Sequence, residues 1–306
     1  MRILSLLPSA TEIVYELGLE ADLVGVTHEC DFPEAARTKR SVSFSALSPT
    51  TGSPTTGSPP AAPAEVDRLV SASISGGEPI YRLDVEAVRE LQPDLVLSQD
   101  LCAVCAVPSG YVNEALDTLG CSAEVISMDP CSLAEVLGCI LQVGAATGTE
   151  DRAAILVESL HGRLESVARK VRDLDRPRTF ALEWSDPPFS GGHWVPEMID
   201  VAGGEAVLGQ WGTPSVRVTW EEIADSRAEI VIFMPCGYDV EAAEREGSTL
   251  LERPELAHVR SLFAVDASSY FSRPGPRVFD GVEILAGALH PGSVADAGPD
   301  KIRRLR

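Results

Sequence analysis

Thr27-His28-Glu29-Cys30 and Cys102-Ala103-Val104-Cys105 carry the plainest chemistry in this chain. His28, Cys30, Cys102 and Cys105 are the side chains that zinc or an iron–sulfur cluster takes as ligands, and Cys236 adds another thiol. The same thiols serve equally well as small apolar groups packed at strand ends, and both readings stay open. Seven cysteines, an odd number, fit thiols or ligands in a reducing compartment better than a disulfide frame. A second group is Glu183-Trp184, followed by Pro187-Pro188-Phe189-Ser190-Gly191-Gly192-His193-Trp194. That loop is rigid, aromatic and glycine-rich. Aromatic rings offer apolar area to a flat ligand, and glycines let backbone come close to it. Phe189, His193 and Trp194 are its candidates. A plain turn with two core aromatics is the alternative, and His193 serves either as a metal ligand or as an ordinary surface group. No Gly-x-Ser-x-Gly elbow, no phosphate-cradling Gly-x-x-x-x-Gly-Lys and no His-Glu-x-x-His occurs. Glu183 beside Trp184 has the makings of an acid/base, but one carboxylate is not a catalytic set.

The elements that must position these groups alternate between strand and helix. Short apolar runs at 2–7, 23–26, 95–97, 179–182 and 230–234 read as buried strands, and helical patterns separate them. Ser9-x-x-Glu12 reads as a capping box opening the first helix. Strands alternating with helices imply parallel sheets covered on both faces. In such sheets ligands bind beyond the carboxyl ends of the strands. His28, Glu29 and Cys30 follow one strand end, and Asp100, Cys102 and Cys105 another. Glu183 and Trp184 follow a third, Cys236 and Tyr238 a fourth. These groups are expected to face one cleft.

The strand–helix grammar runs twice. Val88 to Leu97 is a helix end entering a buried strand, and Glu222 to Ile232 repeats it. Between them, Ile155, Leu156, Leu160, Leu164 and Val167 recur at helical spacing and mark one long amphipathic helix. The fold class is therefore α/β, with two lobes joined by a long linking helix. The boundaries are an N-terminal lobe at 1–148, the helix at 149–176, a C-terminal lobe at 177–292 and a polar tail at 293–306. Within the first lobe, 48–64 holds Thr-Thr-Gly-Ser-Pro twice in succession and reads as a mobile, dispensable loop.

Composition narrows the partners. The 306 residues carry a formal charge of −21, which argues against nucleic acid and anionic membrane surfaces. No run is long and apolar enough for a transmembrane helix. The start, Met1 to Pro8, reads as a first strand rather than a secretion signal, so a cytoplasmic location is expected.

Ser5-Leu6-Leu7-Pro8-Ser9-Ala10-Thr11-Glu12, then Leu17-Gly18 and Leu23-Val24-Gly25-Val26, resemble the opening of the vitamin B12- and siderophore-binding proteins of ABC importers. Leu91-x-Pro93-Asp94-Leu95-Val96 resembles their first-lobe strand motif. Pro187-Pro188-Phe189 and Gly203-Gly204-Glu205 resemble second-lobe motifs of the cobalamin-binding branch. Thr27-His28-Glu29-Cys30 and Cys102-x-x-Cys105 resemble a leaderless cobalamin-binding branch. The resemblance implies Rossmann-like lobes, a cobalamin or related corrinoid held in the cleft without catalysis, and a role as a cytoplasmic carrier or scavenger or as a transport-related binding protein. It also implies that Glu86 and Glu205 meet arginines of an ABC-type permease. The alternative is a metal- or thiol-dependent protein, or an enzyme, using zinc or iron at Cys30, Cys102, Cys105 and His28.

Overall fold

A computed structural model describes residues 1–45, 62–76, 80–100, 110, 112, 116 and 122–306. The Thr-Thr-Gly-Ser-Pro repeat, Cys102, Cys105 and Cys121 lie outside the described residues. The chain divides into two compact units, residues 1–129 with 138–156 and residues 130–137 with 157–306.

The first unit is built on β1 (Ile3–Ser5), α1 (Pro8–Glu16), β2 (Leu23–Val26), β3 (Ser43–Ser45), α2 (Pro63–Gly76), β4 (Tyr81–Leu83), α3 (Val85–Leu91), β5 (Leu95–Ser98) and β6 (Glu124–Ser127). Its main sheet has the order β2-β1-β5-β6, with every pairing parallel. Strands β1, β2 and β5 are almost wholly apolar and buried, as a sheet covered on both faces requires. The chain leaves β1 towards β2 on one side, and β5 lies on the other. The strand order thus reverses at β1, which is where open α/β sheets place ligands. A separate antiparallel pair, β3-β4, carries Ser43 and Tyr81.

Helices α4 (Leu133–Thr147) and α5 (Glu150–Val171) each have residues in both units. The second unit continues with β7 (Arg178–Ser185), β8 (Pro188–Ser190), α6 (Val195–Val201), β9 (Glu205–Ala206), α7 (Trp220–Asp225), β10 (Ile230–Phe233), α8 (Val240–Gly247), β11 (Ser261–Val265), α9 (Ala267–Tyr270), α10 (Val278–Leu289) and β12 (Ile302–Arg304). The order is β12-β11-β10-β7-β8, with β9 also on β7. Strands β11, β10 and β7 are parallel, and the edges β12 and β8 are antiparallel. Phe180, Leu182, Val231, Phe233 and Leu262 are fully buried at the centre. The α/β bilobed fold class expected from the alternation is the one observed.

Two local expectations change. Ser9 does not cap α1: the helix begins at Pro8, Leu7 is the cap residue, and no side chain caps it. Proline at the first helical position lacks an N–H and fixes φ, so the helix starts two residues earlier than a Ser-x-x-Glu reading allows. A true capping box stands instead at Thr219 and Glu222, where side chain and backbone bond reciprocally. The supposed polar tail also ends in structure. Residues 302–304 pair with β11, and Arg303 reaches Glu244 at 2.5 Å and Glu241 at 2.6 Å.

Candidate ligand-binding site

The parallel register puts the ends of β2, β5 and β6 on one edge of the first sheet. Thr27 to Cys30 leave β2 there. Thr27 Oγ1 and Ser43 Oγ are 2.7 Å apart, and His28 Nδ1 lies 3.2 Å from Ser43 Oγ. His28 Nε2 stands 3.9 Å from Glu29 Oε1, which accepts a 3.0 Å hydrogen bond from Tyr81 Oη. The imidazole and phenol rings sit 5.7 Å apart, tilted. Burial lowers the imidazole pKa below its ordinary value, against the opposing pull of Glu29. Cys30 turns the other way: it is buried, and its Sγ lies 3.0 Å from Thr11 Oγ1. After β5, Asp100 is exposed, its backbone N–H donates to Asp129 Oδ1 at 2.6 Å, and Ser127 Oγ donates to both carboxylates.

In the second unit β7 outruns its neighbour. Phe233, the last residue of β10, pairs with Leu182, so Glu183, Trp184 and Ser185 extend beyond it. Strand β8 covers this overhang through Trp184–Phe189 and Ser185–Pro188. Phe189 also bridges to Arg217, whose guanidinium sits 5.5 Å over the phenyl ring. Ser215 donates to Glu183. The Glu183 side chain is partly accessible by area, but its carboxylate is enclosed by protein, and enclosure governs ionisation. Burial raises its pKa to about 6, with the Ser215 hydrogen bond pulling the other way. Trp184 and Tyr238 meet edge to face at 5.8 Å, and Ser185 and Tyr238 both bond Glu246. Trp184 Nε1 is buried with no hydrogen-bond partner among the described residues.

Three expected site residues turn inward. Trp194 is 5% exposed, and its indole N–H donates to Phe271 O at 2.8 Å, so it anchors α6 rather than offering a face. Tyr238 is 7% exposed and occupied by Trp184 and Glu246. Cys30 is enclosed as described, which fits the small-apolar reading of that thiol. Cys236 is exposed in the turn after β10, ahead of Gly237 at φ +82°. His193 has φ +52°, held by its N–H on Thr213 O and its carbonyl on Gly212 N. No group of three or more His, Cys, Asp or Glu side chains gathers into a metal site among the described residues. Ser43, Tyr81, Ser215 and Arg217 were missed in the sequence. The one hint was their place in polar or aromatic segments next to strands. A cavity of about 630 Å³ lies elsewhere, lined by Lys170, Arg176, Glu229, Arg260 and His290 before the strands begin. It is not at the strand carboxyl ends and touches none of the residues above.

A family model described as periplasmic binding protein matches residues 3–262. The chain belongs to the periplasmic binding protein family. Members bind small molecules for ABC importers and are not enzymes, which removes the catalytic alternative. An ABC transporter substrate-binding lipoprotein of Bacillus subtilis is 26% identical over 95% of this chain and 80% of its own. A vitamin B12-binding protein of Vibrio vulnificus is 24% identical over 92% of this chain and 87% of its own. The solved structure of a periplasmic heme-binding protein from Pseudomonas aeruginosa shares the fold, with a TM-score of 0.70 and 19% identity over 99% of this chain and 97% of that one. No described helix of this binding protein is long and apolar enough to cross a membrane.

Proposed function

We propose that this chain captures a metal-centred tetrapyrrole, a corrinoid of the cobalamin type, and delivers it to an ABC permease. The observation that carries this reading is Phe189, a ring at the strand ends of the second unit with Arg217 5.5 Å above it and Trp184 paired beside it. That surface suits a large flat ligand with a polar rim. The relatives named for vitamin B12 and heme support the ligand class. Charge favours the corrinoid. The chain carries −21, and Glu29, Asp100 and Glu183 stand at the strand ends, so a rim of neutral amides is better tolerated than two ionised propionates. Removing the Phe189 ring strips apolar contact area from the ligand. At about 25 cal/mol per Å² the loss reaches about 1.4 kcal/mol, or tenfold. Phe189→Ala is expected to weaken cobalamin binding by that factor in a calorimetric titration. Unchanged affinity would move the ligand off this surface.

Docking to the permease rests on one exposed carboxylate per lobe. Glu86 is the second residue of α3, after the cap Asp84 that accepts from Ala87 N. The internal repeat puts Glu221 in the same place, second in α7 after the cap Thr219. Glu205 lies instead on β9, paired with Arg178 where β7 begins. Glu86 with Glu221 is therefore the better-matched pair, and Glu205 is the alternative. Glu221→Lys is expected to lower permease ATPase stimulation several-fold, with Glu205→Lys leaving it intact. The opposite pattern would assign docking to Glu205.

A further inference from the structure

We propose that His28 is an axial ligand of the metal at the centre of the bound macrocycle. The inference rests on the corrinoid reading above and names the protein group that would meet the cobalt. No cluster of three or more ligating side chains exists among the described residues, so the chain does not build a metal site alone there. A tetrapyrrole needs no such cluster. Its ring supplies the equatorial nitrogens, and one imidazole completes an axial position.

His28 has the form that such a ligand takes. A metal-binding imidazole usually donates its second ring N–H to an oxygen, which fixes tautomer and orientation. His28 Nδ1 lies 3.2 Å from Ser43 Oγ and 3.4 Å from Thr27 Oγ1, and those two hydroxyls bond each other at 2.7 Å. With the proton on Nδ1 and directed to Ser43, the Nε2 lone pair is left unused. Glu29 Oε1 stands 3.9 Å from it, beyond hydrogen-bond range, and that oxygen already accepts from Tyr81 at 3.0 Å. Tyr81 also flanks the ring at 5.7 Å and limits its rotation. The side chain keeps 23% of its surface open. Phe32 and Phe44, at 43% and 50% exposure, are large apolar side chains close in sequence to His28 and Ser43. His193 offers no equivalent: no ring hydrogen bond fixes its tautomer among the described residues.

The step is a simple exchange. On aquocobalamin, Nε2 donates its lone pair to cobalt(III), the axial water leaves, and no electron is transferred. Aquocobalamin is the probe, read by its visible absorption bands during titration. The wild-type protein is expected to shift the bands from the water-ligated to the imidazole-ligated form. His28→Ala should bind without that shift and at least about tenfold more weakly. Ser43→Ala should weaken binding about tenfold, as the loss of an orienting partner does. An unchanged circular dichroism spectrum and unfolding midpoint for His28→Ala separate lost ligation from misfolding. If His28→Ala keeps the wild-type shift, or the wild type binds with unshifted bands, the ligation is refuted and the corrinoid reading stands. If the wild type binds no aquocobalamin, both fall together.

Discussion

Replacing Gly192 with alanine is expected to destabilise the second unit by about 3 kcal/mol and to weaken ligand binding with it. An added Cβ would stand 2.2 Å from Ser215 N, 2.6 Å from Pro214 C and 2.8 Å from Ser215 Cα, all backbone atoms. Backbone cannot swing aside as a side-chain tip does, so one of the two segments must move. Both are fixed. Ser190 N donates to Val216 O at 2.9 Å, His193 N to Thr213 O at 2.6 Å, and Gly191 N to Ala181 O at 2.9 Å. Displacement therefore breaks the strip that holds Phe189 under Arg217 and Ser215 against Glu183. In thermal unfolding followed by circular dichroism, a loss of this size lowers the midpoint by roughly 10 °C for a unit of this length. An unchanged midpoint would mean that the 213–215 segment yields freely.

Glu183→Gln is expected to stabilise the protein above pH 6 and to do little near pH 4.5. The folded-state pKa of Glu183 is raised to about 6 from an ordinary 4.5, chiefly by burial. The folded chain then holds a proton that the unfolded chain has lost, so stability falls as pH rises from 4.5 to 6 and stays lower above that window. The full difference is about 2 kcal/mol. Glutamine is neutral throughout and still accepts the Ser215 hydrogen bond through its amide oxygen. The measurement is denaturant unfolding of both proteins at pH 4.5 and 7.5. A gain at pH 7.5 that vanishes at pH 4.5 is the expected result. An equal difference at both pH values would show that Glu183 does not titrate between them.

These effects arise at positions of unequal visibility in the sequence. The buried strands were legible because apolar runs such as Ile230 to Phe233 have few other uses, and α5 was legible from its 3.6-residue spacing. The strand β12 was not, since Ile302-Arg303-Arg304 is mostly charged and owes its place to Glu241, Glu244 and Ser261 far away in the chain. His28, Glu29, Asp100 and Glu183 could be placed at strand ends by topology alone. Their partners could not: Tyr81 reaches Glu29 from 52 residues away, and Ser43 lies on a small separate antiparallel pair of strands. Trp194 was misjudged for a related reason. A glycine-rich loop shows that a ring is present, but the direction the ring faces is set by Phe271, 77 residues further on.

Binding of a corrinoid is the centre of this account, and titrating the purified protein with aquocobalamin by calorimetry tests it most directly. The expected result is one ligand per chain with micromolar or tighter affinity, equivalent to about −8 kcal/mol. No heat and no spectral change at ligand concentrations approaching about 1 mM, where binding energy would fall below about 4 kcal/mol, would contradict it.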